Sequence, residues 1–400
     1  MRKDGKDMLD KIEYIDGKPE NGIKYDLKLI RKEFRKLKIP KNVWSPLSLP
    51  LEKSNTFNLL SERAIGKTTN VLLLGSVFWK LYGTVIQYIR DSYTMIENKN
   101  IKNMLDVVRN PKYKYVEFLT DGKYSDVIYK ARRWYFCNYD ADGKVKDVCP
   151  EHFIMCLSTD KNEVYKSTYT TEKGDFIVYD EYIRKYYNEN DFFNFYDLHK
   201  TIARNRQSVF TFFLSNTIDV NSEWFDELEI SETVSTMEIG DKELITTSAG
   251  TNIYIEILKP SFEKKKRNEV INRLYYGFKN PKLNSITGAK TWAVKEYQKL
   301  ERDDKITDTL AKNIYFEYYN KLIRCRIVVT QNVGIVCYCT KATGYYKDSI
   351  VFTNNFIRDK QHVYGFKDFP LIVEMYRKRL FYYGTNGVGA IVEKFMREVM

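Results

Sequence analysis

The feature that most constrains the fold is a loop between an apolar strand and an apolar helix. Thr56–Leu60 has the composition of a buried strand, and after the loop 61–68 apolar residues recur at helical spacing. The loop ends in Gly66, Lys67 and Thr68. A glycine here lets the backbone wrap around a phosphate, so that N–H groups and the amino end of the helix point towards the anion. The segment therefore predicts the strand–loop–helix unit of an α/β nucleotide-binding fold.

The loop also supplies the polar groups that a nucleoside triphosphate requires. Lys67 can reach the β- and γ-phosphates, and the hydroxyl of Thr68 can ligate Mg²⁺. Ser61 stands where the pattern G-x-x-x-x-G-K-[ST] has its first glycine. The alternative interpretation is a lysine at the start of an ordinary helix. We predict ATP binding by Ser61, Glu62, Arg63, Ala64, Ile65, Gly66, Lys67, Thr68 and Thr69.

Two acidic residues follow a second apolar strand. Phe176–Tyr179 is predicted to be a buried parallel strand, and Asp180 and Glu181 come directly after it. We expect Asp180 to hold Mg²⁺ and Glu181 to orient and activate the attacking water. Two acids after a strand are common by chance, but together with the loop they predict an ATPase. A glutamate directly after the aspartate indicates the ASCE class of P-loop ATPases, which includes helicases, terminases and ring translocases.

A polar residue after the next strand is a candidate sensor of the γ-phosphate. The predicted strand Val209–Leu214 is followed by Ser215 and Asn216. An amide at this edge of the sheet can respond to the loss of the γ-phosphate and pass the change to moving parts. Asparagine is also frequent in plain turns, and that alternative stays open for Asn216.

Arginines at the end of a predicted helix are candidates for a cation that acts on a neighbouring subunit. The helix runs from Asp191 to about Arg204, and Arg206 follows. In a ring ATPase such a cation stabilises charge on the neighbour's γ-phosphate and raises the rate by ~10³–10⁵. Residues two apart point to different sides of a helix, so at most one of the two serves. Arg63 is a competing cation in cis, and compensation of the helix carboxyl end is the simpler alternative.

The remaining pattern predicts an α/β protein with a mostly parallel sheet. Short apolar strands, among them Arg133–Cys137, alternate with helical stretches. Further helices are expected over Asp26–Leu37 and near Leu371–Tyr383. After Lys259 and Pro260 the composition becomes basic and helix-prone. We expect an N-terminal extension without an assigned role (1–50), an ATPase domain (51–260), a helical linker (261–300) and a small α+β domain (301–400).

Composition restricts the partners and the compartment. Lys and Arg exceed Asp and Glu by 65 to 53, and the resulting net charge of +12 favours a polyanionic partner. Neither a signal peptide nor a membrane-spanning segment is expected, because the apolar runs are short. The six cysteines form no C-x-x-C pair and, with the three histidines, no four-ligand zinc set. We therefore expect reduced, buried thiols in an intracellular protein.

The motifs resemble those of the DNA-encapsidation ATPases of phi29-like podoviruses. The matching segments are, in chain order, Ala64–Thr68, Val178–Arg184, Ala203–Arg206 and Leu214–Asn216. The resemblance covers most of the chain from about residue 55, with specific motifs only in the ATPase part. It implies the nucleotide, Mg²⁺ and catalytic roles already given and makes Arg204 the trans-acting arginine.

The resemblance also implies an assembly and a cargo. A homomeric ring, taken as a pentamer, docks on the portal of an empty procapsid in the host cytoplasm and drives double-stranded DNA inward. Lys166, which precedes the acidic strand, resembles a lysine that tracks DNA in the pore. A structural packaging RNA is an open further partner. The protein is not expected in the mature virion.

The C-terminal domain is expected to be RNase H-like by the same resemblance, since the larger terminases carry such a nuclease there. Two-metal cleavage needs several converging carboxylates, and the predicted strands offer only Glu317. We therefore expect a nuclease-like fold without nuclease activity. Three alternatives remain: another ring translocase or helicase, a non-hydrolysing nucleotide-binding structural protein, and an active nuclease that depends on Glu317.

Overall fold

The chain forms two compact units, and each is described by itself. The computed structural model describes residues 12–41, 43–61, 65–168, 174–183, 190–216, 222–237, 239–259, 297–301, 304–318, 321–353, 361–364 and 370–399. The first unit comprises Met1–Ile218, Glu227–Glu229 and Met237–Thr291; the second comprises Asp219–Asp226, Ile230–Thr236 and Trp292–Met400. The predicted helical linker lies almost entirely outside the described residues.

The first unit contains a large sheet and most of the described helices. Its helices are α1 (Leu27–Lys36), α2 (Lys67–Tyr82), α3 (Asn98–Ile101), α4 (Tyr115–Leu119), α5 (Asn162–Thr168) and α6 (Asn190–Ala203). Its strands are β1 (Thr56–Leu60), β2 (Ile86–Arg90), β3 (Asp126–Lys130), β4 (Arg133–Tyr139), β5 (Val145–Ser158), β6 (Phe176–Asp180), β7 (Phe210–Ser215), β8 (Lys242–Thr246) and β9 (Asn252–Ile257).

The sheet of the first unit has nine strands in the order β3-β4-β5-β2-β6-β7-β1-β9-β8. The strands from β5 to β9 in this order pair in parallel, whereas β3, β4 and β8 add antiparallel pairs at the edges. One strand, β7, therefore lies between the strand before the phosphate loop and the strand that ends in Asp180. This arrangement confirms the predicted mostly parallel ASCE sheet. The predicted strand Arg133–Cys137 belongs to its antiparallel edge.

Helix α2 packs tightly on the sheet and so fixes where the phosphate loop ends. Gly75 approaches β2 so closely that a Cβ built there would lie 2.6 Å from Cγ1 of Ile86. Further along the helix, the rings of Phe78 and Phe176 lie with centroids 5.2 Å apart. Because α2 follows β1 through a short loop, this packing holds the amino end of the helix at the carboxyl edge of the sheet.

The N-terminal extension packs on the first unit through α1 and the residues before it. Asp26 caps α1 by accepting a hydrogen bond from the backbone N–H of Leu29 at 2.9 Å. The helix ends at Lys36, in agreement with the predicted helix. Before it, the Tyr25 hydroxyl donates to Asp175 Oδ2 at 3.2 Å, and its ring contacts Phe78. The extension therefore forms part of the core of this unit.

The second unit combines a six-stranded sheet with short and long helices. Its helices are α7 (Glu223–Glu227, which ends at the boundary with the first unit), α8 (Ser231–Thr236), α9 (Pro370–Arg377) and α10 (Asn386–Val399). Its strands are β10 (Ile306–Tyr318), β11 (Lys321–Thr330), β12 (Gly334–Ala342), β13 (Ile350–Thr353), β14 (His362–Tyr364) and β15 (Phe381–Tyr383). Among all the helices that the structure describes, none is long and apolar enough to cross a membrane.

The strand order of this unit is β14-β13-β10-β11-β12-β15. β10, β11 and β12 form an antiparallel meander, and β13 and β14 continue the sheet in parallel beyond β10. This is the strand arrangement of an RNase H-like fold, to which β15 adds a parallel strand beside β12. The predicted helix over Leu371–Tyr383 is wrong in its second half. Arg379 takes a left-handed backbone conformation with φ 59°, which ends the helix and lets β15 begin.

Candidate functional site

Polar side chains meet at the carboxyl edge of the central strands in the first unit. β6 ends at Asp180 and β7 at Ser215, while β1 leads into the loop before α2. Because β6, β7 and β1 are consecutive parallel neighbours, their carboxyl ends lie side by side. The edge thereby brings together Lys67, Thr68, Asp180, Glu181 and Asn216.

Lys67 is buried although it carries a positive charge. Only 3% of the residue is exposed. Its ammonium donates to the backbone carbonyl of Ser215 and lies 3.4 Å from Oδ1 of Asn216. Burial lowers the pKa of Lys67 to about 8, against the opposing effect of the negative charges of Asp180 and Glu181. A buried ammonium held by neutral oxygens can exchange them for an anionic partner, which forms stronger hydrogen bonds.

Asp180 is held by hydroxyl groups on both of its oxygens. The Thr68 hydroxyl donates to Oδ1 at 3.1 Å, and the Tyr88 hydroxyl donates to Oδ2 at 2.8 Å. Burial, and then the charge of Asp180, raises the pKa of Tyr88 well above its usual value, so this phenol keeps its proton and acts as a donor. Asp180 and Thr68 together present carboxylate and hydroxyl oxygens, the ligand type that Mg²⁺ prefers.

Arg90, the last residue of β2, joins the two acidic residues and was not among the predicted site residues. One guanidinium nitrogen lies 2.5 Å from Oε2 of Glu181, and another lies 3.4 Å from Oδ2 of Asp180. Burial alone would lower the pKa of Arg90, but Tyr88 and the two carboxylates outweigh it, and the pKa is raised. The only sequence signal was a basic residue at the end of an apolar strand. That signal is weak without knowledge of the strand order.

Glu181 and Asn216 contact each other across the ends of β6 and β7. The Asn216 amide donates to Oε1 of Glu181 at 3.1 Å, and its oxygen faces Lys67. Glu181 has a left-handed backbone conformation with φ 55°, and its N–H donates to the carbonyl of Leu214 at 2.7 Å. Asn216 thus links the Lys67 ammonium to the Glu181 carboxylate. A movement of either side chain can therefore be passed to the other through the amide.

The phosphate loop is described at its two ends. Ser61 is buried, and its N–H donates to the Ser215 carbonyl at 3.1 Å, so the residue in place of the first glycine continues the contact between β1 and β7. Gly66 has a φ of 81°, a left-handed conformation that glycine adopts without strain. Glu62, Arg63 and Ala64 lie outside the described residues. The role of Arg63 as a cation acting on the γ-phosphate of its own subunit therefore stays a prediction. Thr69 lies in the first turn of α2.

The N-terminal extension contacts the end of the phosphate loop. The N–H of Trp44 donates to the Ile65 carbonyl at 3.1 Å, and the Asn70 amide donates to the Trp44 carbonyl. A Cβ built on Gly66 would lie 3.2 Å from Cβ of Val43. The first fifty residues had no predicted role, and no local pattern in them indicated this contact. These residues support the turn that presents Lys67.

The two candidate arginines lie at the opposite, amino edge of the sheet. Arg206 makes two contacts within its own subunit. It pairs with Asp175, which is 1% exposed, and it donates a hydrogen bond to the Ile202 carbonyl at 2.6 Å. Arg204 follows α6, is exposed, and has a φ of 51°. A helix of this length spans roughly 20 Å. Arg204 is therefore far from the Lys67 cluster of its own chain.

Lys166, the predicted DNA contact, lies in α5, and its side chain falls outside the described residues. The predicted pore role of this lysine stays a prediction. Within α5 the Tyr165 ring is buried and stacks under the Arg132 guanidinium, 5.5 Å from the ring centroid. The helix that carries Lys166 is thereby attached to the edge strands of the first unit.

Solved structures share this architecture across both units. The bacteriophage phi29 viral genome packaging motor assembly matches 90% of this chain over 100% of its own, with a TM-score of 0.58 and 17% identity. The chain has the fold of a phage DNA-packaging motor. A phi28 DNA packaging motor also matches 90% of the chain over 98% of its own, with a TM-score of 0.51 and 17% identity. No known family model and no curated protein matches the sequence.

The packaging-motor fold confirms the resemblance that the motifs indicated. It extends over the ATPase-like sheet and the RNase H-like sheet, although the motifs were specific only in the former. A fold can carry many functions, so the activity has to be argued from the site itself.

Proposed function

We propose that this chain is the ATP-hydrolysing subunit of a ring motor that moves double-stranded DNA into a viral procapsid. One observation carries the proposal: Asn216 contacts both Lys67 and Glu181, next to an Asp180 that is held by Thr68. A phosphate-binding cation, a base, a metal-binding pair and a linking amide therefore occupy one edge of the sheet. Nucleoside triphosphate hydrolysis requires this set of groups.

The nucleotide phosphates fit the position of Lys67. The ammonium is buried and held by the Ser215 carbonyl and the Asn216 amide oxygen, both neutral acceptors. It lies at the amino end of α2, where backbone N–H groups favour an anion. A γ-phosphate placed here replaces neutral acceptors by charged ones and strengthens the interaction.

Mg²⁺ fits the oxygen pair formed by Thr68 and Asp180. Their oxygens lie 3.1 Å apart, at the end of α2 where the phosphates would bind. The ion supplies Lewis-acid stabilisation of charge on the phosphate oxygens. In this chain the Tyr88 hydroxyl holds the second carboxylate oxygen of Asp180 and so keeps the first one turned towards Thr68.

Glu181 is the proposed base for the attacking water, and Asn216 the proposed sensor. The carboxylate is partly exposed and held from two sides, by Arg90 and by the Asn216 amide. General base catalysis needs this positioning, and it contributes about 10²–10⁴ in rate. When the γ-phosphate leaves, Lys67 returns to the Asn216 oxygen, and the amide changes its hold on Glu181.

Arg204 is the proposed trans-acting arginine, and the structure favours it over Arg206. Arg206 is 8% exposed in its side chain and committed to the buried Asp175. Arg204 is exposed at the opposite edge from the cluster of its own chain, so it can complete only the site of a neighbour. Each site in the proposed ring is then incomplete without the next subunit. This arrangement makes hydrolysis in one subunit depend on the position of its neighbour.

The DNA, the portal, a pentameric stoichiometry and a packaging RNA enter the proposal from the resemblance and from the shared fold. The two assemblies of the same fold are described as a viral genome packaging motor and a DNA packaging motor. The net charge of +12 favours a polyanionic cargo. Lys166 is the proposed pore contact, and the proposed place of action is the procapsid in the host cytoplasm.

The second unit is proposed to have a nuclease-like fold without nuclease activity. Glu317 lies on β10, and Nε2 of His362 lies 3.7 Å from its Oε2 atom. Among the described residues, the one converging group of three candidate metal ligands is a cysteine cluster. Hard divalent ions used for DNA cleavage prefer oxygen ligands, so this cluster does not supply that chemistry.

The proposal is tested by measuring ATP turnover with and without duplex DNA. We expect DNA-stimulated hydrolysis, no separation of the strands, and binding that is blind to sequence and weakens steeply with salt. Strand separation would indicate a helicase, and absent turnover would indicate a nucleotide-binding structural protein. Metal-dependent DNA cleavage that Glu317→Ala abolishes would indicate a nuclease.

A further inference from the structure

Three cysteines of the second unit bring their sulfur atoms together inside its core. Cys325 on β11 lies directly opposite Cys339 on β12, and Cys337 precedes Cys339 by two residues on the same face. Sγ of Cys339 is 3.3 Å from that of Cys325 and 3.9 Å from that of Cys337. All three residues are 0% exposed.

The separations suit three ligands of one shared metal ion. A Zn–S bond is about 2.3 Å long, so sulfurs around one ion lie roughly 3.8–4.0 Å apart in tetrahedral or trigonal geometry. The three sulfurs all lie within 4.8 Å of one another. The Cys337–Cys339 separation of 3.9 Å falls inside this range, and the Cys325–Cys339 separation of 3.3 Å is shorter than it. Small side-chain adjustments are enough to place an ion among them.

The arrangement differs from that of an ordinary core cysteine. A lone buried cysteine packs as a small apolar residue. Here a C-x-C pair on one strand and a third cysteine on the next strand turn three sulfurs towards one point. Apolar residues such as Phe316, Ile323 and Val392 fill the rest of this core. Within the part of the chain that the structure describes, no other group of three His, Cys, Asp or Glu side chains converges in this way.

We propose that Cys325, Cys337 and Cys339 bind one thiophilic d¹⁰ cation of the Zn²⁺ type. Thiolate sulfur selects such ions over Mg²⁺, whose preferred ligands are oxygen atoms. Each ligating thiol releases its proton as the ion binds, so three thiols and a divalent ion give a complex with a single negative charge. The ion joins β11 to β12 in the core of the second unit. It stabilises that unit independently of the proposed ATP site.

Because the sulfurs are fully buried, the ion enters while the unit folds or opens. The full-length chain is therefore produced under reducing conditions with Zn²⁺. Unbound metal is removed, and the amount of bound metal per chain is measured. A parallel preparation with Co²⁺ is examined for sulfur-to-cobalt charge-transfer absorption. We expect one ion per chain, thiolate bands with cobalt, and a higher melting temperature than that of chain prepared with a chelator.

Cys339→Ala, which removes the central sulfur, should lose the bound ion, the cobalt bands and the melting-temperature difference. Cys156→Ala, at another fully buried cysteine in the first unit, should keep all three. Cys325→Ser preserves the size of the side chain and checks that loss of metal does not reflect unfolding, as judged by circular dichroism. Any of three results would overturn the proposal. These are wild-type chain without bound metal, an ion retained in Cys339→Ala, and a Cys325–Cys339 disulfide in place of metal uptake.

Discussion

The guanidinium of Arg90 lies 2.5 Å from a carboxylate oxygen of Glu181, the proposed base. The same group reaches Asp180, so one cation from β2 holds both acids at the end of β6. Neighbouring carboxylates repel each other, and a cation between them offsets that repulsion and orients both side chains. Arg90 therefore acts through the two acids and is a positioning residue.

Arg90→Gln should lower ATP turnover by about 10- to 100-fold, because an unpositioned base loses most of its ~10²–10⁴ contribution. The free energy of unfolding should fall by about 2–3 kcal/mol, less than for a fully buried pair because Glu181 is partly exposed. Both are measured by steady-state hydrolysis and urea unfolding. Arg109→Gln, which breaks the partly exposed pair with Asp126, is the matched control and should cost about 1 kcal/mol. Unchanged turnover in Arg90→Gln would contradict the positioning role.

Lys67→Ala should abolish ATP turnover and weaken nucleotide binding, because the buried ammonium is the proposed partner of the β- and γ-phosphates. Lys80 lies on the same helix and provides the control. It pairs with Asp121 and the Phe118 carbonyl, away from the loop. Lys80→Ala should keep turnover within about twofold. Titration with a fluorescent nucleotide measures binding, and phosphate release measures hydrolysis. Hydrolysis that persists in Lys67→Ala would contradict the assignment of the loop as the phosphate-binding site.

Arg204→Ala and Arg206→Ala should fail in different ways. Arg206→Ala leaves the buried Asp175 carboxylate without its cation and should cost about 3–5 kcal/mol of folding free energy. Arg204→Ala changes an exposed residue and should alter stability by about 0.5 kcal/mol or less, yet abolish turnover of the pure mutant. In mixed rings, an Arg204→Ala subunit should hydrolyse ATP when its neighbour is wild type. If mixing Arg204→Ala with a Lys67→Ala partner restores no activity, the trans role is wrong.

Acid should destabilise the first unit through His199. Burial lowers the pKa of His199 to about 4, and its ring pairs with the Thr211 hydroxyl at 2.9 Å. The unfolded chain, with a pKa of about 6.5, binds more protons between these two values. Stability contributed by the neutral ring is therefore complete above about pH 6.5 and is lost as the pH falls towards 4, by up to about 1.4 kcal/mol per pH unit.

His199→Gln keeps a hydrogen-bonding group near Thr211 but does not titrate, so its unfolding free energy should depend less on pH in this window. His152, whose pKa burial also lowers to about 4, should contribute a second, separable part of the slope. Urea unfolding at several pH values measures both variants against wild type. Identical slopes for wild type and His199→Gln would show that His199 does not contribute.

Local patterns predicted the elements of the site. Thr56–Leu60 and Phe176–Tyr179 were predicted as strands, and the structure places β1 and β6 there. Composition predicts such elements because a short, continuous run of apolar residues is visible in the local sequence and is typical of a fully buried strand. The end of α9 was missed, since the strand that replaces the helix is stabilised by pairing with β12, a distant segment.

Contacts between distant segments could not be predicted in the same way. Arg90 and Glu181 are neighbours because β2 and β6 pair in the sheet. The local spacing of apolar residues does not predict the order of strands in a sheet. Trp44 reaches the phosphate loop for the same kind of reason. That Arg206 pairs with Asp175 of its own chain also required the structure, because spacing shows only that the side chains of Arg204 and Arg206 point apart.

The sequence alone thus determined the loop that begins at Ser61, its Lys67 and Thr68, and the two acids after β6. These are short-range features whose chemistry follows from residue type and position after a strand. The tertiary structure decided how Arg90 holds both acids, that Arg206 is paired within its own chain, and that Cys325 meets Cys337 and Cys339 at one point in the core. Such convergence depends on strand order and register, which arise from the free energy of packing the whole sheet.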